Sequence, residues 1–249
     1  MPLREAEPRY VEPLLGVAFD LDGTLILSHH DFGRMRASVV SLAEKYGVVP
    51  GHLTVSDPIH RIVENAREEL RNAGVPDGQF YRFEAEYRQS LDRIELEALP
   101  RTVARPGAEP LLRGLTQRGL RLGILTRSSE AFARGALQQT GLGTYFPYLR
   151  TRGMPGPAKP NPEALRGLLR EMGVPLDRAL YVGDHILDAE CATAAGVRFY
   201  AVLPDPSETP GSTQSKDRFL AGGASAVAVD LPTLARHLDV SAPRTATFA

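Results

Sequence analysis

Hydrophobic residues fall into short runs along this chain, and longer segments with helical periodicity separate them. Five of these runs predict buried strands, at residues 14–19, 120–125, 179–182, 197–203 and 226–229. None of the runs alternates cleanly between polar and apolar positions, which is typical of strands in a parallel sheet covered on both faces. The covering helices are predicted at residues 108–118, 130–140, 162–172 and 188–195. The pattern therefore predicts an α/β fold with a Rossmann-like, doubly wound parallel-sheet core.

The stretch between the first two predicted strands has a different character. Two helices are indicated by apolar residues that recur at three- and four-residue steps: Met35, Val39, Leu42, Ala43 and Tyr46 in one, and Ile59, Ile62, Val63, Ala66 and Leu70 in the other. A third helix is predicted at residues 79–98, and the arginines of this stretch, Arg67 among them, are expected mostly on a solvated helix face. Some seventy residues are too many for a simple connection between strands. We therefore expect residues 28–102 to form an inserted all-helical cap domain. Residues 14–27 and 103–240 are expected to form the catalytic core, and the termini at 1–13 and 241–249 are expected to be flexible.

Charge and cysteine content narrow the classes of function. The 249 residues include 29 lysines and arginines and 30 aspartates and glutamates, so the overall charge gives no reason to expect nucleic acid or an anionic membrane as a partner. The single cysteine, Cys191, cannot form an intrachain disulfide, and the first apolar run is too short for a signal or membrane helix. We expect a cytoplasmic protein that is a monomer or homodimer.

Two aspartates follow the first predicted strand, in the sequence Val-Ala-Phe-Asp-Leu-Asp-Gly-Thr-Leu that ends at Leu25. Open α/β sheets place their active sites at the carboxyl ends of their strands. The carboxylate of Asp20 is ionised at neutral pH and needs no separate base to act as a nucleophile. Asp22, as a second carboxyl group beside it, is suited to protonate a leaving alkoxide and later to deprotonate water. Two such carboxylates would repel a phosphate, so the site calls for a hard dication with oxygen ligands, and Mg²⁺ fits.

Later strand ends supply the remaining candidates. Asp184 follows the third strand and Asp188 lies four residues further on; Asp184 is expected to complete the metal site, while Asp188 holds a metal-bound water or orients a lysine. Thr126 offers a hydroxyl group at the end of the second strand, and the amides of Arg127 and Ser128 are expected to open toward a helix N-terminus.

Lys159 precedes a helix whose start is set by Pro162, so its charge is expected to point at the site. Together, the predicted catalytic residues are Asp20, Asp22, Thr126 and Lys159, the predicted phosphate- and substrate-binding residues are Gly23, Thr126, Arg127 and Lys159, and the predicted metal residues are Asp20, Asp22, Asp184 and Asp188.

In the order and spacing of these four segments, the sequence resembles the haloacid dehalogenase superfamily. The resemblance is to the branch with a helical cap inserted after the first strand, which includes phosphoglycolate phosphatase-like and β-phosphoglucomutase-like enzymes, and it covers nearly all of residues 14–238. It implies a phosphoaspartate at Asp20, general acid/base action by Asp22, and Mg²⁺ held by Asp20, the Asp22 carbonyl group and Asp184. It also implies that Thr126 and Lys159 hold the phosphoryl group.

Two positions depart from the family pattern. Arg127 stands where an asparagine is usual, and His185 stands where a small hydroxyl residue or asparagine is common. Neither change removes a catalytic group, but Arg127 adds a cation that could meet a second anionic group on the substrate.

The expected reaction is hydrolysis of a small phosphomonoester by a magnesium-dependent phosphatase, so the expected partner is a small phosphorylated metabolite. A phosphomutase of the β-phosphoglucomutase type shares every residue named, and detection of a bisphosphate intermediate would distinguish it. A dehalogenase is disfavoured, because carbon–halogen displacement needs neither Asp22 as an acid nor a magnesium cluster. A phosphometabolite-binding protein on the same fold would be expected to carry damaged motifs, whereas these are intact.

Overall fold

A computed structural model of the chain describes residues 13–205 and 214–240. The chain divides into two compact units, one formed by Met1–Ser28 with Thr102–Ala249 and the other by His29–Arg101. We call these the core unit and the helical unit. The termini predicted to be flexible, residues 1–13 and 241–249, lie outside the described residues except for Pro13.

Eight strands are found in the described residues, all of them in the core unit. They are β1 (Gly16–Phe19), β2 (Ile26–Leu27), β3 (Val103–Ala104), β4 (Arg121–Ser129), β5 (Tyr148–Arg152), β6 (Ala179–Gly183), β7 (Arg198–Val202) and β8 (Ala226–Ala228). Six of them form a fully parallel sheet in the order β5-β4-β1-β6-β7-β8. The predicted doubly wound α/β fold is confirmed.

Nine α-helices are found in the described ranges. They are α1 (Phe32–Lys45), α2 (Ile59–Asn72), α3 (Asp77–Ala98), α4 (Ala108–Gln117), α5 (Glu130–Gln139), α6 (Pro162–Met172), α7 (Ile186–Ala195), α8 (Lys216–Ala221) and α9 (Leu231–His237). Helices α5, α6 and α7 pack directly against strands of the large sheet. Within the described part of the chain, none of these helices combines the length and the apolar character required to cross a membrane.

The core of the sheet follows from the apolar runs of the sequence. All four residues of β1 and all five of β6 are buried, and so is most of β7. Their side chains pack with the apolar faces of α6 and α7, from Ala164 and Leu168 to Ala192. Burial on both faces explains why these strands show no polar alternation in the sequence.

Three elements of the core unit differ from the sequence-based expectations. Strand β5 was not predicted, because only Thr151 of its five residues is fully buried and the strand lies at the sheet edge with two arginines. Strand β4 runs on to Ser129, four residues beyond the expected end at residue 125, with an irregular register between Leu125 and Ser129. Strands β2 and β3 form a short antiparallel pair where the chain leaves and re-enters the core unit.

The helical unit has its own hydrophobic core between α1, α2 and α3. It is built by the apolar positions that the helical periodicity indicated, including Met35, Val39, Ile62 and Leu70, together with Phe83. Helix α3 begins two residues before the predicted start.

Arg67 departs from the expected solvated helix face. It is partly buried and forms a two-point ion pair with Glu84 of α3, from Nε to Oε1 at 2.6 Å and from Nη2 to Oε2 at 2.9 Å. Arg88 donates a further hydrogen bond to Glu84 at 2.8 Å. The pairing links α2 to α3 at a side of the helices that the sequence pattern assigns to solvent.

Candidate active site

The central strand β1 lies between β4 and β6, and the three strands run in the same direction. Their carboxyl ends therefore meet at one edge of the sheet. Asp20 comes directly after β1 and Asp184 directly after β6. The amide of Asp20 donates to the carbonyl oxygen of Val182 in β6 at 2.8 Å, which fixes the first aspartate beside the second strand end. This is the edge at which open α/β sheets bind their ligands.

Three carboxylates converge at this edge. Asp20, Asp184 and Asp188 each place an oxygen within 4.8 Å of the others. Asp184 accepts a hydrogen bond from the hydroxyl group of Thr24 at 2.8 Å, so the segment after β1 also orients the carboxylate after β6. Gly23 packs directly against Asp184, because a Cβ atom at Gly23 would lie only 2.3 Å from Oδ2 of that carboxylate.

Lys159 is the cation of this cluster. Its Nζ lies 2.7 Å from Oδ1 of Asp20 and 2.8 Å from Oδ1 of Asp188, and its side chain is almost fully buried. Burial alone would lower the pKa of Lys159, but the charges of Asp188 and Asp20 outweigh burial and raise this pKa above its usual value. Lys159 is therefore a fixed positive charge at the strand ends.

The carboxylate of Asp188 is held by groups of the protein on both of its oxygens. Oδ1 accepts from Lys159 and from the Tyr181 hydroxyl group, each at 2.8 Å, and Oδ2 accepts from the amide of His185 at 3.1 Å. A Cβ atom at Gly183 would lie 2.4 Å from Oδ2, so a glycine is needed there for this carboxylate to fit. Of the two roles considered for Asp188, these contacts favour orientation of the lysine.

Tyr181 was not among the predicted site residues. It lies in the middle of β6, where its aromatic ring fits the apolar pattern of a buried strand. Burial, followed by the charge of Asp188, raises the pKa of the Tyr181 hydroxyl group well above its usual value, so it remains a neutral donor. A buried tyrosine needs a partner for its hydroxyl group, and this is the general signal that would have indicated such a role.

The carboxylates of the cluster suit a divalent cation. Burial raises the pKa of Asp20 well above its usual range, and burial together with the charge of Asp188 raises the pKa of Asp184 to about 7. Three ionised carboxylates and the single ammonium group of Lys159 would together carry two net negative charges. Mg²⁺ prefers oxygen ligands of this kind and would offset that charge. The donor set present at this edge therefore fits the predicted metal.

The side chain of Asp22 has a different partner. Oδ2 of Asp22 accepts a hydrogen bond from the hydroxyl group of Ser128, which is buried near the end of β4. The amide of Ser128 donates to Oγ1 of Thr126 at 3.1 Å. The segment leads into the N-terminus of α5, whose N-cap is Ser129, while the amide of Ser128 is engaged by Thr126.

Arg127 and His185 lie at the margin of the cluster. Nη1 of Arg127 donates to the carbonyl oxygen of Lys159 at 3.4 Å, and the carbonyl oxygen of Arg127 accepts from Arg152 at 3.0 Å. His185 caps α7, with its Nδ1 accepting from the amide of Leu187 at 3.2 Å. Burial lowers the pKa of His185, which favours the neutral ring that this cap requires.

Arg105 is a second residue that the sequence did not indicate for the site. Its buried guanidinium group donates to the carbonyl oxygen of Gly23 and, at 2.6 Å, to that of Leu203 just after β7. It also interacts with the charge of Asp184, and this interaction lowers the pKa of that carboxyl group against the effect of burial. The segment that follows β3 is thereby tied to the loop that carries Asp22.

Comparison with known proteins identifies the family of this chain. Residues 15–196 match the family model described as haloacid dehalogenase-like hydrolase. The chain belongs to the haloacid dehalogenase-like hydrolase family. The predicted family and the predicted class of hydrolase, a phosphatase, are confirmed.

Relatives within the haloacid dehalogenase-like hydrolases include several phosphoglycolate phosphatases. One from Rhodospirillum rubrum is 32% identical over 217 residues, which cover 83% of this chain and 88% of the relative. Another, from Pseudomonas fluorescens strain Pf-5, is 32% identical over 193 residues and covers 75% of this chain and 68% of the relative. Among solved structures, a hydrolase from Pseudomonas syringae superposes with a TM-score of 0.63 at 23% identity, covering 92% of this chain and 99% of that one. This last likeness shows the shared fold.

Proposed function

We propose that this member of the haloacid dehalogenase-like hydrolases is a Mg²⁺-dependent phosphatase that hydrolyses a small phosphomonoester through a phosphoaspartate on Asp20. One observation carries the proposal: Asp20 lies at the end of β1, 2.7 Å from the Lys159 ammonium group and among the carboxylates of Asp184 and Asp188. A nucleophilic carboxylate, a fixed cation and a set of metal ligands thus converge on one point.

Two displacements at phosphorus make up the reaction. In the first, a carboxylate oxygen of Asp20 forms a bond to phosphorus, the bond from phosphorus to the leaving oxygen breaks, and the protonated carboxyl group of Asp22 gives its proton to that oxygen. In the second, Asp22 takes a proton from water as the water oxygen bonds to phosphorus. The bond between phosphorus and Asp20 then breaks and releases inorganic phosphate.

The remaining residues bind the phosphoryl group and offset its negative charge. Lys159, whose Nζ lies 2.7 Å from Asp20, and the hydroxyl group of Thr126, which directly follows the regularly paired part of β4, would hold its oxygens. Asp20, Asp184 and the main-chain carbonyl group of Asp22 would hold Mg²⁺. When bound, this ion neutralises charge on the phosphoryl oxygens. Asp188 fixes Lys159 in place through the 2.8 Å contact.

The substrate class follows from two supporting facts. The relatives from Rhodospirillum rubrum and Pseudomonas fluorescens are named phosphoglycolate phosphatases, and each is 32% identical to this chain. Arg127, beside the backbone of Lys159, adds a cation that suits a second anionic group. Phosphoglycolate, which carries both a phosphate and a carboxylate, is therefore the first compound to test.

The test is phosphate release from a panel of phosphomonoesters that includes phosphoglycolate, with Mg²⁺ and with a chelator. We expect turnover that requires Mg²⁺ and is abolished in Asp20→Asn. The matched control is Asp177→Asn, which changes an exposed aspartate of the same unit and should retain wild-type turnover. Mass spectrometry of the acid-quenched wild-type enzyme should find one phosphoryl group on the peptide that contains Asp20.

Two outcomes would contradict the proposal. Phosphate release by Asp20→Asn at the wild-type rate would exclude Asp20 as the nucleophile. Transfer of the phosphoryl group to a phosphosugar with formation of a bisphosphate, in place of phosphate release, would identify a mutase.

A further inference from the structure

Ser128 contacts two of the residues assigned to the reaction. Its hydroxyl group donates to Oδ2 of Asp22, and its amide donates to Oγ1 of Thr126 at 3.1 Å. The residue is 6% exposed, so water cannot easily replace either contact. We propose that Ser128 is a positioning residue that holds the carboxyl group of Asp22 in the orientation required for general acid catalysis.

The extended end of β4 makes this contact possible. Thr126 and Ser128 lie two residues apart in a stretch of β4 whose register against β5 is irregular. Strand β4 continues as far as Ser129, which pairs with Arg152 of β5, so the segment that carries Ser128 is held by the sheet. A hydroxyl group on a strand is a more precise anchor than one on a loop. Asp22, in contrast, belongs to the segment between β1 and β2.

The contact gives the two oxygens of Asp22 different roles. The Ser128 hydroxyl group donates to Oδ2, so that oxygen acts as an acceptor, and in the protonated carboxyl group the transferable proton is carried by Oδ1. The carboxyl group is also separate from the three-carboxylate cluster, which contains Asp20, Asp184 and Asp188. Ser128 thus fixes which oxygen faces the leaving group while taking no part in bond making or breaking.

This inference rests on the proposed function, and its test uses the chemistry of the leaving group. An alkyl phosphate needs a proton on its departing oxygen, whereas p-nitrophenyl phosphate releases a stable anion that needs none. The value of kcat/KM covers only the steps up to formation of the phosphoaspartate. A defect in general acid catalysis should therefore lower kcat/KM for the alkyl substrate and spare the aryl substrate.

The experiment compares wild type, Ser128→Ala and Ser128→Thr with p-nitrophenyl phosphate and with the fastest alkyl phosphate of the panel. A positioned general acid contributes about 10²–10⁴-fold to the rate. For Ser128→Ala we expect kcat/KM to fall by about tenfold or more with the alkyl phosphate, and by less than about threefold with p-nitrophenyl phosphate. Ser128→Thr keeps the hydroxyl group and should restore the alkyl rate. In Asp22→Asn, the further change Ser128→Ala should have no additional effect, because both act on one group.

Ser129→Ala is the matched control, since it removes the neighbouring buried hydroxyl group that caps α5. It should change kcat/KM for the two substrates by the same factor. Equal losses for both substrates in Ser128→Ala, or no restoration in Ser128→Thr, would overturn the inference while the phosphatase assignment stood. Absence of Mg²⁺-dependent turnover in the wild type would instead overturn the proposed function itself.

Discussion

Arg105 donates a hydrogen bond from its buried guanidinium group to the carbonyl oxygen of Gly23, across 82 positions of the sequence. A second bond joins the same group to the carbonyl oxygen of Leu203 at 2.6 Å. One side chain therefore satisfies main-chain acceptors in the loop that carries Asp22 and in the segment after β7. Burial lowers the pKa of Arg105, although a guanidinium group remains charged at any physiological pH.

Replacement of Arg105 by methionine should destabilise the core unit. Two partly buried carbonyl groups would lose their donor, and such a loss costs about 1–3 kcal/mol for a buried group. We expect the free energy of unfolding to fall by about 2–4 kcal/mol, measured by urea denaturation. The control is Arg113→Met, which removes an exposed arginine whose ion pair with Glu109 spans 3.5 Å, and it should cost less than about 0.5 kcal/mol. Equal effects of the two substitutions would contradict this role for Arg105.

The sequence predicted those parts of the fold in which burial is continuous. Strands β1 and β6 are buried at every position, so their apolar runs identify them. Strand β5 is an edge strand with a single buried residue, Thr151, and two of its five residues are arginines, so no continuous apolar run marks it. Edge strands are paired on one side only, and burial contributes less to their sequence pattern.

The candidate site was predictable where a local pattern in the sequence marks its residues. Asp20 and Asp22, and likewise Asp184 and Asp188, form local patterns that can be read directly from the chain. The contact of Ser128 with Asp22 joins positions 106 residues apart, and no local pattern in the sequence indicates it.

Gly183→Ala should impair activity through the carboxylate of Asp188. A Cβ atom at this position would lie 2.4 Å from Oδ2 and 2.5 Å from Cγ of Asp188, so that side chain must move. Since Asp188 orients Lys159, we expect kcat/KM for phosphate release to fall by about 10–100-fold, as positional errors of this size cause in other enzymes.

Gly78→Ala is the matched control for that substitution. Gly78 lies in the first turn of α3, and nothing lies within 4 Å of the position that its Cβ atom would take. The change should leave turnover unaltered and stabilise the protein by about 0.4–1 kcal/mol. Unaltered turnover in Gly183→Ala would show that the position of Asp188 does not matter for the reaction.

Lys159→Met should reduce catalysis. It removes the cation 2.7 Å from Asp20 and leaves a side chain of similar length. Loss of one preorganised group that stabilises transition-state charge costs about 10²–10³-fold in kcat, and we expect a decrease of this size in phosphate release. The control is Lys45→Met, which removes an exposed lysine paired with Glu86 and should retain wild-type rates. A decrease of less than about threefold in Lys159→Met would exclude a role in phosphoryl transfer.

Glu84 should make the stability of the helical unit depend on pH. Burial acts to raise the pKa of Glu84, but hydrogen bonds and charges from Arg67 and Arg88 outweigh it, and the pKa in the folded state lies below the usual value of 4.5. Its stabilising contribution is therefore complete above that value and is lost as the pH falls through the lower folded-state pKa. At pH 7, Glu84→Gln should lower the free energy of unfolding by about 1–3 kcal/mol, because two arginines lose a charged partner.

Urea denaturation of wild type and Glu84→Gln at a series of pH values between 7 and 2 checks this sign, because their difference should shrink only at the acid end of the series. Glu68→Gln, at an exposed position of α2, is the control and should differ little from wild type throughout. A difference that grows as the pH falls would mean that folding raises the pKa of Glu84 and does not lower it. The two-point contact with Arg67 requires an ionised carboxylate, so that result would also contradict the ion pair that links α2 to α3.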